Sequence, residues 1–198
     1  MIEKSFTGGD QLKKKLEELA KNISKSSEVK TGFLEGSTEP GGASTALVAS
    51  CQEFGTQNTK EGTVIPPRPF FRPMVAAGSK KWGEQLGNLL KHNEYDAEKS
   101  LALMGENIVG ELRQSIVDVT EPALSPITLM LRKMRSEYPN FQGSGTMVAE
   151  AAARVAAGED YSGQSTKPLV DTGHMLASVG YQVDAGQKVL PFQGGAQS

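Results

Sequence analysis

The sequence predicts an α+β protein: a small, mainly antiparallel sheet packed against two long helices, with a helical insertion and flexible loops. Three observations carry that prediction. Downstream of Pro73 come two long stretches with apolar side chains at helical spacing, broken once at Asn93–Asp96. Short strand-like stretches lie at Val29–Phe33, where apolar and polar residues alternate with period two, at Val64–Ile65 and within Met175–Val183. These short stretches do not alternate regularly with the helical ones, which argues against a doubly wound parallel sheet. At 198 residues the chain suffices for one ordinary core. Residues 1–198 therefore read as a single domain, with 138–166 as the insertion and 193–198 as a frayed tail.

The elements follow in order. Leu12, Leu16, Leu19, Ala20 and Ile23 recur at helical spacing among lysines and glutamates, and Asp10 stands where a cap belongs. A first amphipathic helix is expected from Asp10 to Ser24, its lysines forming a solvated face. Val29, Thr31 and Phe33 mark a half-buried strand over Glu28–Glu35. Gly36–Gly42 reads as a loop, and Ser44–Gln52 as a short helix with Ser44 near its start. Gln57–Gly62 is polar and reads as an exposed, mobile loop. Val64 and Ile65 then form a short strand. Pro66, Pro67, Pro69 and Pro73 each restrict the residue before them, so an extended path is expected.

Beyond it, Trp82, Leu86, Leu89 and Leu90 share one helical face. The second long helix carries Leu101, Met104, Ile108, Leu112, Ile116 and Val119 on one stripe. Gly105 and Gly110 interrupt it, each at about 1 kcal/mol relative to alanine, and leave room for a neighbour to pack closely. Ser125-Pro126 is a helix start, a cap followed by proline at the first helical position, and the helix runs to about Ser136. In the insertion, Gly143-Ser144-Gly145 is a flexible joint, Thr146–Ala157 is alanine-rich and helical, and Gly158 is the stop. Met175–Val183 reads as a strand, with or without one helical turn before it, and Val189–Phe192 is expected to pair with it through a turn at Asp184–Gln187.

Composition narrows the function. A net charge of −2 argues against gripping duplex DNA by charge neutralisation, though not against lining a passage for it. Cys51 is the one cysteine, which excludes an internal disulfide and fits assembly in a reducing cytoplasm. The first residues lack a basic-then-apolar signal pattern, and no apolar run approaches the roughly 18 residues that cross a bilayer. The expectation is a protein made in the cytosol that needs no membrane.

Catalytic constellations are weak. Asp171, His174 and Ser178 invite comparison with a nucleophilic triad, but a triad converges from a fixed scaffold and three neighbours on one short segment rarely do. Asp171 and Thr172 read as a turn or capping pair, and His174 as an exposed turn residue. His92 and His174 have no cysteine nearby and no ligand spacing, so no metal or other cofactor is expected. Gly105–Gly110 has the first interval of a phosphate loop but is followed by Glu111-Leu112 where lysine and a hydroxyl belong. Arg68 is more informative, because flanking prolines stiffen its backbone. It either pairs with Glu53 to pin the base of the polar loop, or joins Arg72 in pointing across a subunit boundary, where arginine forks suit carboxylates and backbone oxygens. Phe70 and Phe71 read as core, with one facing away from the other if the segment is extended.

Five blocks in order carry a resemblance: Lys30–Gly36, Glu53-Phe-Gly-Thr56, Ile65-Pro-Pro-Arg-Pro-Phe-Phe-Arg72, Ser125-Pro-Ile-Thr-Leu-Met-Leu-Arg132 and Lys167-Pro-Leu-Val-Asp-Thr-Gly173. Together, over about residues 28–184, the chain resembles neck and tail-completion proteins of tailed bacteriophages, also labelled virion morphogenesis proteins or minor tail components. In that family the Ser-Pro-Ile-Thr helix meets the Pro-Leu-Asp-Thr-Gly segment after a short link, which residues 138–166 lengthen here. The resemblance implies a non-enzymatic virion protein forming a ring, usually hexameric, at the head–tail junction. Its partners would be other copies of itself, head-closure or connector proteins, and the tail tube or tail terminator, with genomic DNA passing through the lumen. Glu53, Arg68, Phe70, Phe71, Arg72, Asp171, Thr172 and Gly173 are the candidate interface or structural residues. A heterologous ring needs two different faces per subunit, and the polar stretches Gln57–Gly62 and Phe141–Gln164 are candidates to order on a neighbour. The alternatives are a tail-terminator or tail-tube-associated part, a small hydrolase, and a nucleic-acid-binding module using the lysines of the first helix.

Overall fold

The computed structural model describes residues 9–26, 28–33, 36–39, 42–58, 63–138, 145–171 and 173–184. The fold is α+β. Its elements are α1 (Gly9–Ile23), β1 (Val29–Phe33), α2 (Thr45–Phe54), β2 (Thr56–Asn58), β3 (Thr63–Ile65), α3 (Phe71–His92), α4 (Ala97–Asp118), α5 (Pro126–Glu137), α6 (Gly145–Ala156), α7 (His174–Ala177) and β4 (Val179–Val183). β1 pairs antiparallel with β4, from Val29 opposite Val183 to Phe33 opposite Val179. β2 and β3 form a separate antiparallel ribbon. The chain divides into two compact units: the described residues of Met1–Ser37, Arg72–Arg113 and Ala177–Ser198, and those of Thr38–Phe71 and Gln114–Leu176.

In the first unit the β1–β4 ribbon packs on α4. A methyl group at Gly105 would lie 2.6 Å from Tyr181 Cδ2 and 2.9 Å from Val29 Cγ2, so glycine is what lets the ribbon approach the helix. Gly110, its expected companion, has nothing within 4 Å of that position. Tyr181 Oη donates to Glu106 Oε1 at 3.2 Å, and Arg113 Nη2 donates to the Val179 carbonyl at 2.7 Å. Leu101, Met104, Val109 and Leu112 form the buried stripe of α4. Full burial of a side chain such as Leu112 is worth about 1.5–3 kcal/mol. α3 is tied to α4 by Trp82 Nε1 donating to Glu111 Oε2 at 3.0 Å and by Lys81 at 2.8 Å from Glu111 Oε1. Burial works to raise the Glu111 carboxyl pKa, but the hydrogen bonds from Lys81 and Trp82 outweigh it and leave the group below the ordinary range. α1 forms as its spacing predicts, with Asp10 inside the first turn rather than at the cap.

In the second unit α5 and α6 lie against each other. Met130, Met134 and Ala151 are fully buried, with Ile127, Leu131, Met147, Val155 and Tyr161 around them. The stretch expected as an insertion between core elements therefore supplies half of a core. Ser125 caps α5 as predicted, its Oγ accepting from Thr128 N at 3.2 Å, with Pro126 at the first helical position. α6 ends as predicted, with Gly158 at φ 77. Lys133 and Arg154 brace the pair: Lys133 Nζ lies 2.9 Å from Glu159 Oε1, just beyond α6, and Arg154 Nη1 lies 3.9 Å from Glu137 Oε2 at the end of α5.

Four expectations change. α3 begins at Phe71, not after Pro73. Proline falls in the first turn, where its missing N–H costs no helical hydrogen bond. Gln57 and Asn58 are strand residues of β2, and residues 59–62 of the expected loop lie outside the described residues. β4 pairs with β1, after the helical turn that the sequence allowed before it; the expected partner, 189–192, lies outside the described residues. His174 is half-buried in α7 rather than an exposed turn residue. The joint at 143–144 also lies outside the described residues.

Candidate functional site

Four of the five motif blocks meet pairwise at two locked backbone corners of the second unit, while Lys30–Phe33 belongs to β1 of the first. The first corner joins Glu53–Thr56 to Ile65–Phe71. Gly55 ends α2 at φ 73, a conformation that favours glycine, and a Cβ there would lie 2.8 Å from the Ile65 carbonyl oxygen and 2.9 Å from Pro67 N. Glycine thus satisfies both the turn and the close crossing of the two chains. Glu53 is 4% exposed, and its Oε2 accepts from Phe70 N at 2.8 Å and Phe71 N at 2.9 Å. A carboxylate at the first turn of α3 satisfies orphan N–H groups and favours the positive end of the helix dipole.

Arg68 is 6% exposed. Its Nε donates to the Pro122 carbonyl at 3.0 Å, its Nη1 to Gln52 Oε1 at 3.3 Å, and its backbone N to the Gln52 carbonyl at 2.7 Å. Burial pushes its pKa down, but a guanidinium starts high enough to stay charged. The group is turned inward on its own chain, which favours pinning of the loop base over reaching across a boundary. Phe70 is fully buried at the corner, and Ser115 Oγ donates to its carbonyl at 2.6 Å. Phe71 is half-buried and Arg72 exposed, both helical rather than extended.

The second corner joins Ser125–Arg132 to Lys167–Gly173. Arg132 is 7% exposed, and the Lys167–Asp171 segment wraps its guanidinium. Nη1 donates to the carbonyls of Ser165 at 2.5 Å, Lys167 at 3.1 Å and Val170 at 3.4 Å; Nη2 donates to that of Pro168 at 3.4 Å. Nε lies 3.3 Å from Asp171 Oδ1, and Asp171 Oδ2 takes Arg135. Burial lowers the Arg132 pKa, the Asp171 carboxylate opposes that, and the charges of Arg135 and Arg68 add to the lowering. Lys167 Nζ, donating to the Val117 carbonyl at 2.9 Å, fastens the segment further. Pro168 and Leu169 are buried.

Glu53, Arg68 and Phe70 converge on the first corner and Phe71 opens α3 beside it. Asp171 belongs to the second corner, and Gly173 follows at φ 76. Thr172 lies outside the described residues. Both Asp171 oxygens face arginines, the arrangement of a fastener rather than of a carboxylate orienting His174. Among the described residues no group of three His, Cys, Asp or Glu side chains lies where it could hold a metal ion. None of their helices is long and apolar enough to cross a membrane. Sequence reasoning singled out neither Arg132 nor Gln52. The signal for Arg132 was indirect: a segment stiffened by Pro168 has carbonyls without a ladder partner and needs a donor.

Comparisons with protein-family models, curated proteins and solved structures find no match to this chain.

Proposed function

We propose that the protein is a structural component of a tailed-bacteriophage virion, a ring in the neck that completes the tail and joins it to the head connector. The reading rests on the ordered motifs that resemble neck and tail-completion proteins. The observation that carries it furthest is the surface beside the first corner. Leu47 and Phe54 stand seven residues apart on α2, 60% and 62% exposed, directly before the fixed turn at Gly55. Large apolar side chains left in water next to rigid backbone suit an assembly face, because little ordering entropy is lost on docking. Six copies would form the ring by analogy with the family, with DNA passing through the lumen unread.

Electron microscopy of virions with this protein labelled tests the assignment; a label at the neck supports it, and a label elsewhere in the particle overturns it. Leu47→Asp with Phe54→Asp should leave the monomer folded and abolish assembly. Wild-type assembly retained in that variant would remove α2 from the interface. Cross-links to the tube side with none to the connector side would move the protein to the tail-terminator alternative.

A further inference from the structure

We propose that α1 is a docking helix for a partner helix whose apolar stripe is flanked by carboxylates. α1 buries none of its residues, yet it carries a continuous apolar seam. Leu12, Leu16 and Ile23 are 62%, 57% and 50% exposed, and Leu19 is half-buried. Their spacing of four, three and four is the a/d repeat of a coiled coil. At about 100° per residue the four side chains fall within an arc of about 60°, far narrower than the face of a helix that lies in a membrane or covers a globular core. One end of the helix is fixed: Asn22 Nδ2 donates to the Glu94 carbonyl at 3.3 Å, and Lys25 Nζ lies 2.6 Å from Asp96 Oδ2. The seam is thus presented from an anchored end.

The charges choose the partner. On the same projection Lys13 and Lys15 stand closest to the seam, one on each side, at the e and g positions that meet a partner's flanks. Glu17, Glu18 and Asp10 fall on the back, about 130° or more from the seam centre. In an antiparallel second copy Lys13 would face Ala20 and Lys15 would face Asn22, and in a parallel one Lys15 would face Ala20, so neither orientation brings a carboxylate of α1 to meet these lysines. A helix with glutamate or aspartate at its flanks would pair both. The proposal is independent of the neck-ring reading.

The test uses the full chain and two fluorescent helical peptides with the same leucine seam, one with glutamate at e and g and one with lysine. Fluorescence anisotropy should show the glutamate peptide binding about tenfold or more tightly than the lysine peptide. The difference should shrink as salt rises from about 50 mM to about 500 mM. Lys13→Glu with Lys15→Glu should reverse the preference, and Leu16→Asp should abolish binding of both without altering the circular dichroism, since Leu16 is not in the core. Equal affinity for the two peptides, or no binding of either, overturns the proposal. So does self-association that Leu16→Asp abolishes, which would make a second copy the occupant. Binding to phosphatidylcholine–phosphatidylglycerol vesicles that Leu16→Asp abolishes would make the occupant a lipid surface and equally overturn it.

Discussion

The two compact units are stabilised in different ways. Among the described residues of the first, the buried polar side chains are uncharged, Ser26, Asn93 and Ser100, and the ribbon meets its helix through apolar contact at a glycine. In the second, Glu53, Arg68 and Arg132 are all buried, and each charge is spent largely on backbone groups of nonrepetitive chain. The difference follows from what each unit has to hold. A paired strand satisfies its own N–H and C=O groups. Proline-rich loops cannot, so a forked donor or a carboxylate must do it for them. A buried charge used this way adds little as an isolated ion pair, but removing it leaves several polar groups orphaned at once.

Replacement of Arg132 with Met should give the largest effect. It strips donors from the carbonyls of Ser165, Lys167 and Pro168, and a loss of about 3–5 kcal/mol is expected in urea denaturation. A loss under about 1 kcal/mol would break the contrast between the units. Glu53→Ala should cost about 2 kcal/mol, because the buried Phe70 N–H loses its acceptor. Glu53→Gln should recover part of that. In the first unit Gly105→Ala should cost about 1–3 kcal/mol by overpacking against Tyr181, and the cost should fall in a Tyr181→Ala background. Gly110→Ala should instead gain up to about 1 kcal/mol, since only helix propensity changes there.

The smallest effect sharpens the electrostatic side. A hydrogen bond from Lys25, then one from the Lys99 backbone, holds the Asp96 carboxyl below its ordinary pKa. A lowered carboxyl contributes stability that is fully present above its unfolded pKa of about 3.9 and is lost as pH falls through the lower folded value. NMR titration should place the Asp96 midpoint below that of an unfolded peptide, and Lys25→Ala should raise it. An unmoved midpoint would leave the tether of α1 resting on the Asn22 hydrogen bond.

Local chemistry was legible in the sequence. Ser125-Pro126 and Gly158 set their helix ends, and the leucine spacing of α1 set its seam, because each signal acts within a turn or two. Partners distant in sequence were not legible. The residues of β4 marked a strand but not that β1 would pair with it, since period two fixes a face and not a neighbour. The start of α3 at Phe71 depended on a carboxylate eighteen residues upstream, Glu53, whose effect no local pattern announces. Gly105 and Gly110 look alike in sequence, and only the approach of Tyr181 separates them.

The pairing of Val29 with Val183 has a consequence for biogenesis. A ribosome must release everything from Val29 through Val183 before β1 meets the strand it zips to, so the first unit waits while α5 and α6 close early. Nascent chains stalled short of Val179 should expose an unzipped β1 edge to chaperones, and those stalled well past Val183 should not.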